Sequence, residues 1–255
     1  MANKPLEWTG PHTATATPPL TYCLPLRGSV SQSTLQVLFS MDLFSQLVLL
    51  VGRVTPAYVQ LLGTGFLIRE DGLVATTFHV IGTDPSQLVV LAPHISNLNA
   101  YQDLSDTSCQ TIPAQVKEID PVRDLAILKT NIRFSGMVPR ISGFDQDDVG
   151  SEIHIFGFPH CTEGRRALTF HRSEIGAKVI LPNQGAKIKH AVINAQARPG
   201  QSGSMIYSPN QGAISGVLIG AWIPGPAGAI ISGINPSELH QTTQCISAEY
   251  LNEML

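Results

Sequence analysis

The sequence predicts an all-β protein built as two six-stranded antiparallel β-barrels, with a short helix near each end. Three observations carry that expectation. Gly and Pro supply 22 and 18 of the 255 residues, so turns are plentiful. Charged residues make up only 14% of the chain, against about 25% in an average globular domain, which disfavours long solvated helices. Apolar runs of strand length, about twelve of them, recur with turn residues between, the pattern of barrels or a sandwich. An apolar share of 43% over 255 residues is enough for a self-sustaining core. A net charge of −3 argues against chain-wide disorder and against a nucleic-acid binder driven by bulk positive charge.

Residues 1–32, rich in Thr and Pro, read as an extended arm. Ser33-Thr34-Leu35-Gln36 fits a capping box, and Leu35, Leu38, Phe39 and Leu43 recur at helical spacing, so a helix is expected to about Phe44. The remaining body, 33–255, divides into a first barrel over about 45–136, a second over about 150–240 and a tail, 241–255. In the first barrel strands are expected at Leu47–Val54, Tyr58–Leu62, Phe66–Ile68, Leu73–Thr77, Leu88–Leu91, Ala114–Ile119 and Leu125–Lys129. Gly63-Thr64-Gly65 marks a turn or a point of close approach, and Glu70-Asp71-Gly72 a hairpin turn. The patternless stretch Met137–Gly150 is the expected link. The second barrel is expected from Glu152–Phe156, Arg166–Phe170, Ser173–Ile180, Ala191–Ala195, Ser204–Tyr207, Ile214–Trp222 and Ala229–Ile234, followed by a short helix over Ala248–Leu255.

No apolar run of signal-peptide length follows a basic start, and Leu35–Val51 carries Asp42, Gln36 and Gln46, so it does not read as a membrane span. A cytoplasmic protein is expected. The cysteines Cys23, Cys109, Cys161 and Cys245 are far apart with no C-x-x-C pair, and four reduced thiols are expected.

Three local sequences carry chemistry. In Thr76-Thr77-Phe78-His79-Val80 a His sits just past a strand, where its imidazole can face a cleft. In Asp120-Pro121-Val122-Arg123-Asp124-Leu125-Ala126 a carboxylate directly precedes a buried strand, and Asp124 is favoured over its rival Asp120 for that placement. In Arg198-Pro199-Gly200-Gln201-Ser202-Gly203-Ser204 glycines flank a serine, letting the backbone turn sharply and expose both hydroxyl and amide.

Together with Gly63-Thr64-Gly65-Phe66 and the Asp71-Gly72 turn, these motifs appear in the order shown by chymotrypsin-like serine proteases, and the chain resembles most closely the HtrA/Deg branch of that family over about residues 33–240. The resemblance implies the double barrel, a serine endopeptidase activity, a polypeptide substrate and no cofactor. Carried onto this sequence, it makes Ser202 the nucleophile, His79 its base and Asp124 the group that orients the imidazole, with the amides of Gly200 and Ser202 as oxyanion hole. Ile219-Gly220-Ala221 would pair with the substrate backbone. By analogy with that branch, a trimer through residues 1–40 is implied.

This chain departs from the branch at Ser204, where Gly is usual, and in the long Pro93–Ile112 loop. Gln196 stands six residues before Ser202, where trypsins carry an Asp, so a preference for Arg or Lys is not expected. Gln196, Ala197, Ile219 and Ala221 are in the expected pocket wall; Ala197, Ile219 and Ala221 favour a small or medium apolar P1 side chain, while Gln196 could instead favour a polar one. His154, His160, Cys161 and His171 fit no familiar zinc spacing, and no metal site is expected. The competing reading is a protease-fold scaffold without turnover.

Overall fold

A computed structural model describes residues 42–93, 95, 97–222 and 242–255. The chain enters in a helical segment, α1 (42–47), and then forms six strands: β1 (Val48–Val54), β2 (Val59–Leu67), β3 (Leu73–Thr77), β4 (Leu88–Leu91), β5 (Thr111–Asp120) and β6 (Leu125–Thr130). They close into an antiparallel barrel in the order β1-β2-β3-β6-β5-β4. The strands that read as unbroken apolar runs are buried on both faces: all of β3 is buried, as are Val48–Val51 and Leu125–Leu128. β5 instead alternates over its first half, buried Ile112 and Ala114 against exposed Pro113 and Gln115, because one face meets solvent.

The second unit holds β7 (Arg140–Ile141), β8 (Glu152–Gly157), β9 (Thr169–Asn183), β10 (Ala186–Ile193), β11 (Met205–Ser208), β12 (Ala213–Trp222) and β13 (Thr242–Ser247). Its strand order is β11-β8-β9-β10-β13-β12-β7, and β11 pairs again with β12, so six strands form a ring of antiparallel pairings with β7 added parallel to β12. The fold is thus mostly strand, with few short helices, as expected.

Several local expectations need correction. Gly63–Gly65 is not a turn but the middle of one continuous strand, β2. The close approach is real: a Cβ on Gly65 would lie 3.0 Å from the Ala75 carbonyl oxygen and from the side chains of Val51 and Val74. The two strands expected at Arg166–Phe170 and Ser173–Ile180 are one 15-residue strand, which pairs with β8 over Thr169–Glu174 and with β10 over Ile175–Asn183. The link Met137–Gly150 is partly ordered as β7 and a 3-10 turn, Phe144–Gln146, with Asp147 buried and hydrogen-bonded by Ser208 Oγ (2.8 Å) and Gln211 Nε2 (2.6 Å). β13 pairs with both β10 and β12, so the second unit continues past residue 240. The N-terminal arm, the capping box and the strand expected at Ala229–Ile234 lie outside the described residues.

Both terminal helices pack on the barrels. Phe44 of α1 is fully buried, stacked on Phe156 at 4.2 Å and tilted against Tyr207 at 4.8 Å, both of the second unit; a buried Phe contributes about 1.5–3 kcal/mol. α3 (Glu249–Glu253) runs back to the first barrel. Its Tyr250 hydroxyl accepts the Lys189 amide (3.0 Å), the Arg123 guanidinium lies 4.4 Å from the Tyr250 ring, and Arg123 pairs with Glu253 at 2.8 Å.

Candidate active site

The first barrel supplies one half of the site. His79 lies on the single helical turn α2 (Phe78–Ile81) that ends β3. Asp124 precedes β6 with φ +56, a left-handed conformation that costs a non-glycine residue about 1–2 kcal/mol. Three bonds hold it there. Its carbonyl accepts the Phe78 amide (3.1 Å), Oδ1 accepts the His79 amide (2.8 Å), and Oδ2 lies 2.6 Å from His79 Nδ1. With Nδ1 committed to the carboxylate, the imidazole keeps Nε2 for other work. The rival carboxylate, Asp120, instead caps the turn: its Oδ1 accepts the Val122 and Arg123 amides at 3.1 and 3.0 Å, and its Oδ2 pairs with Arg123.

The second unit supplies the other half, the turn 198–204. Gly200 sits at φ +89, and a Cβ there would meet Cys161 Sγ at 2.6 Å and both the Cys161 amide and the Phe158 carbonyl oxygen at 2.8 Å. Only glycine fits. The Pro199 carbonyl accepts the His160 amide at 2.5 Å. In a trans peptide the Gly200 N–H must then point the opposite way. Gln201 closes the turn with two bonds, its amide donating to the Arg198 carbonyl (3.0 Å) and its Oε1 accepting the Arg198 amide (2.8 Å). Among the described residues, neither the Gly200 nor the Ser202 amide has a hydrogen-bond acceptor. The Ser202 hydroxyl donates to the Ile219 carbonyl at 2.8 Å.

Gly63 joins the halves. A Cβ at that position would lie 2.7 Å from the side chain of Val80, next to His79, and 3.0 Å from the Ser202 carbonyl oxygen. Thr64, buried between them, donates its amide to the Ser202 carbonyl (2.9 Å) and its hydroxyl to the Gly200 carbonyl (2.9 Å). Sequence reasoning assigned no role to Thr64 or Gln201. The signal was there, in a Thr between two glycines at a close-approach point and in the residue beside the serine.

The remaining candidates fall around this centre. A Cβ on Gly220 would be 3.9 Å from Ser202 Oγ, so its bare backbone flanks the hydroxyl. β11 stops pairing with β12 at Val217, while β13 stays paired through Trp222. The other edge of Ile219–Ala221 therefore has no strand beside it among the described residues. Gln196 is exposed, and Ala197 is buried with its amide on Thr243 Oγ1 (2.7 Å). Gln196, Ala197, Arg198 and Gln201 line a cavity of about 330 Å³, together with Thr169 and His171. Ile219, Gly220 and Ala221 do not line that cavity.

The unusual Ser204 is accommodated by Gly157: a Cβ there would lie 1.9 Å from Ser204 Oγ, a buried hydroxyl with no partner among the described residues. Of the residues weighed as metal ligands, His154 pairs with Glu152 (2.8 Å) and Cys161 packs under Gly200, where burial pushes its thiol up to about 12. Cys109, Cys161 and Cys245 are free thiols. No helix among the described residues is long and apolar enough to cross a membrane.

Comparison with known proteins agrees with this architecture. Solved structures with the same fold include the MamO protease domain from Magnetospirillum magneticum in its apo form (18% identity, TM-score 0.60, covering 83% of this chain and 97% of that one). Rv3671c from M. tuberculosis, a mutant in an inactive form, is 19% identical with a TM-score of 0.55, covering 91% of this chain and 96% of that one. The HtrA-type protease AlgW, solved with a decapeptide, is 16% identical with a TM-score of 0.55, covering 85% and 66%. No curated protein matches the chain. The model of the trypsin-like peptidase domain matches residues 63–217, more than half the sequence and both halves of the site, and the chain belongs to that family.

Proposed function

We propose that the protein is a serine endopeptidase that hydrolyses peptide bonds through an acyl-enzyme on Ser202. His79 takes the hydroxyl proton through Nε2 and returns it to the leaving amine. Asp124 fixes the tautomer and stabilises the imidazolium. The observation that carries the reading is the 2.6 Å contact of His79 Nδ1 with Asp124, set beside a serine whose amide and that of Gly200 are both unclaimed among the described residues. Two such donors aimed at a developing oxyanion contribute roughly 3–4 kcal/mol each to lowering the barrier. The substrate is a polypeptide that lies as an added strand along the edge of Ile219–Ala221 that has no strand beside it among the described residues. The buried Ala197 in the pocket wall favours a small or medium apolar P1 side chain, against the polar one that the exposed Gln196 would favour.

One observation favours a latent form: the Ser202 hydroxyl rests on the Ile219 carbonyl, and its bond to His79 must form when substrate arrives. The test is digestion of an unstructured protein mixture, with new termini identified by mass spectrometry and Ser202→Ala as control. New termini that vanish in the control are expected, with apolar P1 residues enriched. A folded wild type that leaves the mixture uncut while still binding peptide would mean a scaffold.

A further inference from the structure

We propose that Thr64 is a positioning residue that keeps the oxyanion hole formed, acting from the first barrel on the nucleophile turn of the second. Thr64 bonds the carbonyls of the same two residues whose amides are free. Its amide donates to the Ser202 carbonyl (2.9 Å) and its hydroxyl to the Gly200 carbonyl (2.9 Å). The hydroxyl is itself oriented, because its lone pair accepts the Phe158 amide at 3.1 Å. The residue is held in place by Thr76, whose hydroxyl donates to the Thr64 carbonyl at 2.7 Å, and both threonines are fully buried. The space is made by missing side chains: a Cβ on Gly203 would lie 2.0 Å from the Thr64 carbonyl oxygen, and one on Gly157 would lie 3.3 Å from Thr64 Oγ1.

The consequence is geometric. The peptides on either side of Gly200 are each pinned by their carbonyl, the first to the His160 amide and the second to the Thr64 hydroxyl. Were the second freed, the Gly200–Gln201 peptide could rotate, since glycine places no barrier in its way. That peptide carries the Gln201 N–H, so its rotation also breaks the bond from the Gln201 amide to the Arg198 carbonyl (3.0 Å) and loosens the turn that holds the Gly200 and Ser202 amides on either side of it. The Gly200 carbonyl would keep only the Cys161 thiol, a weak donor at 3.6 Å, and the desolvation penalty left unmet drives the rotation.

This inference rests on the reading of Ser202 as nucleophile, and its test separates the two. Thr64→Val keeps the size and the backbone amide and removes only the hydroxyl. With active sites counted by titration, kcat is expected to fall about 10- to 100-fold, short of the 10²–10³ that outright loss of a donor costs, with KM little changed. Thr64→Ser recovers most of the loss. Thr64→Cys, a weak donor of similar size, falls between and serves if the valine variant does not fold. Crystal structures of wild type and Thr64→Val give a readout without turnover: the Gly200–Gln201 peptide is expected to rotate in the variant. A wild type with no turnover would overturn the protease reading and leave the inference to the crystal structures. Unchanged kcat per titrated site, or an unrotated peptide, overturns the role of Thr64.

Discussion

The two halves of the site are held in different ways. The half from the first barrel is self-contained: His79 and Asp124 lie on neighbouring segments joined by three bonds that involve no residue of the second unit. The half from the second unit is held from outside its own turn. Three bonds within the turn involve Gln201, and others arrive from His160 and Cys161 on the β8–β9 connection, from Leu218 and Ile219 of β12 and from Thr64 on the first barrel. The contrast teaches that the His79–Asp124 pair is built by local structure. The Ser202 turn is held mostly by its own unit, with the two Thr64 bonds as the link by which the first barrel reaches it.

Breaking the self-contained half has the largest expected effect. Asp124→Asn leaves the shape but offers the wrong partner to Nδ1, and kcat on a cleaved peptide is expected to fall on the order of 10⁴-fold with the fold intact. A loss below tenfold would remove Asp124 from the mechanism. Next comes Gly200→Ala on the dependent half. Its new Cβ meets Cys161 Sγ at 2.6 Å at φ +89, so a kcat loss of about 10²–10³ and a lowered Tm are expected together. Wild-type kcat in that variant would mean the amide of Gly200 is not used.

The sequence made the first half more legible than the second. His79, Asp124 and Ser202 stand in motifs whose residue types state their chemistry, and apolar runs and turn spacing placed most of the described strands, though β7 and β13 were not expected and β10 begins five residues before its expected start. Asp120 and Asp124 could be separated only in part, because capping and catalysis both want a carboxylate near a turn; the structure gives the capping bonds to Asp120. What the sequence could not express was contact between distant segments. Thr64 meets Gly200 across 136 positions, and no local pattern encodes that pairing. Likewise β9 reads as two strands because it changes partners midway, and β13 follows a stretch whose composition gave no warning of another sheet strand.

Smaller effects sharpen the contrast. Gln201→Leu removes the acceptor for the Arg198 amide, a bond worth about 0.5–1.5 kcal/mol, so kcat is expected to drop by no more than about tenfold while Asp124→Asn remains far worse. Asp120→Ala removes a turn cap in the first barrel: stability measured by denaturant is expected to fall by about 1 kcal/mol with kcat unchanged. A large kcat loss in that variant would restore Asp120 as the rival. The smallest effect is chemical. Burial pushes the Cys161 thiol up to about 12, so brief alkylation of the native protein at pH 8 is expected to mark the half-buried Cys109 before Cys161, as read by mass spectrometry. Fast labelling of Cys161 would mean that the support beneath Gly200 opens readily.

The central claim is that Ser202 is an activated nucleophile, and the most direct measurement is covalent labelling of the purified protein with a fluorophosphonate probe beside Ser202→Ala and His79→Ala. Labelling of the wild type that is lost in both variants is the predicted result. A folded wild type that stays unlabelled, or a label that survives in Ser202→Ala, would contradict it.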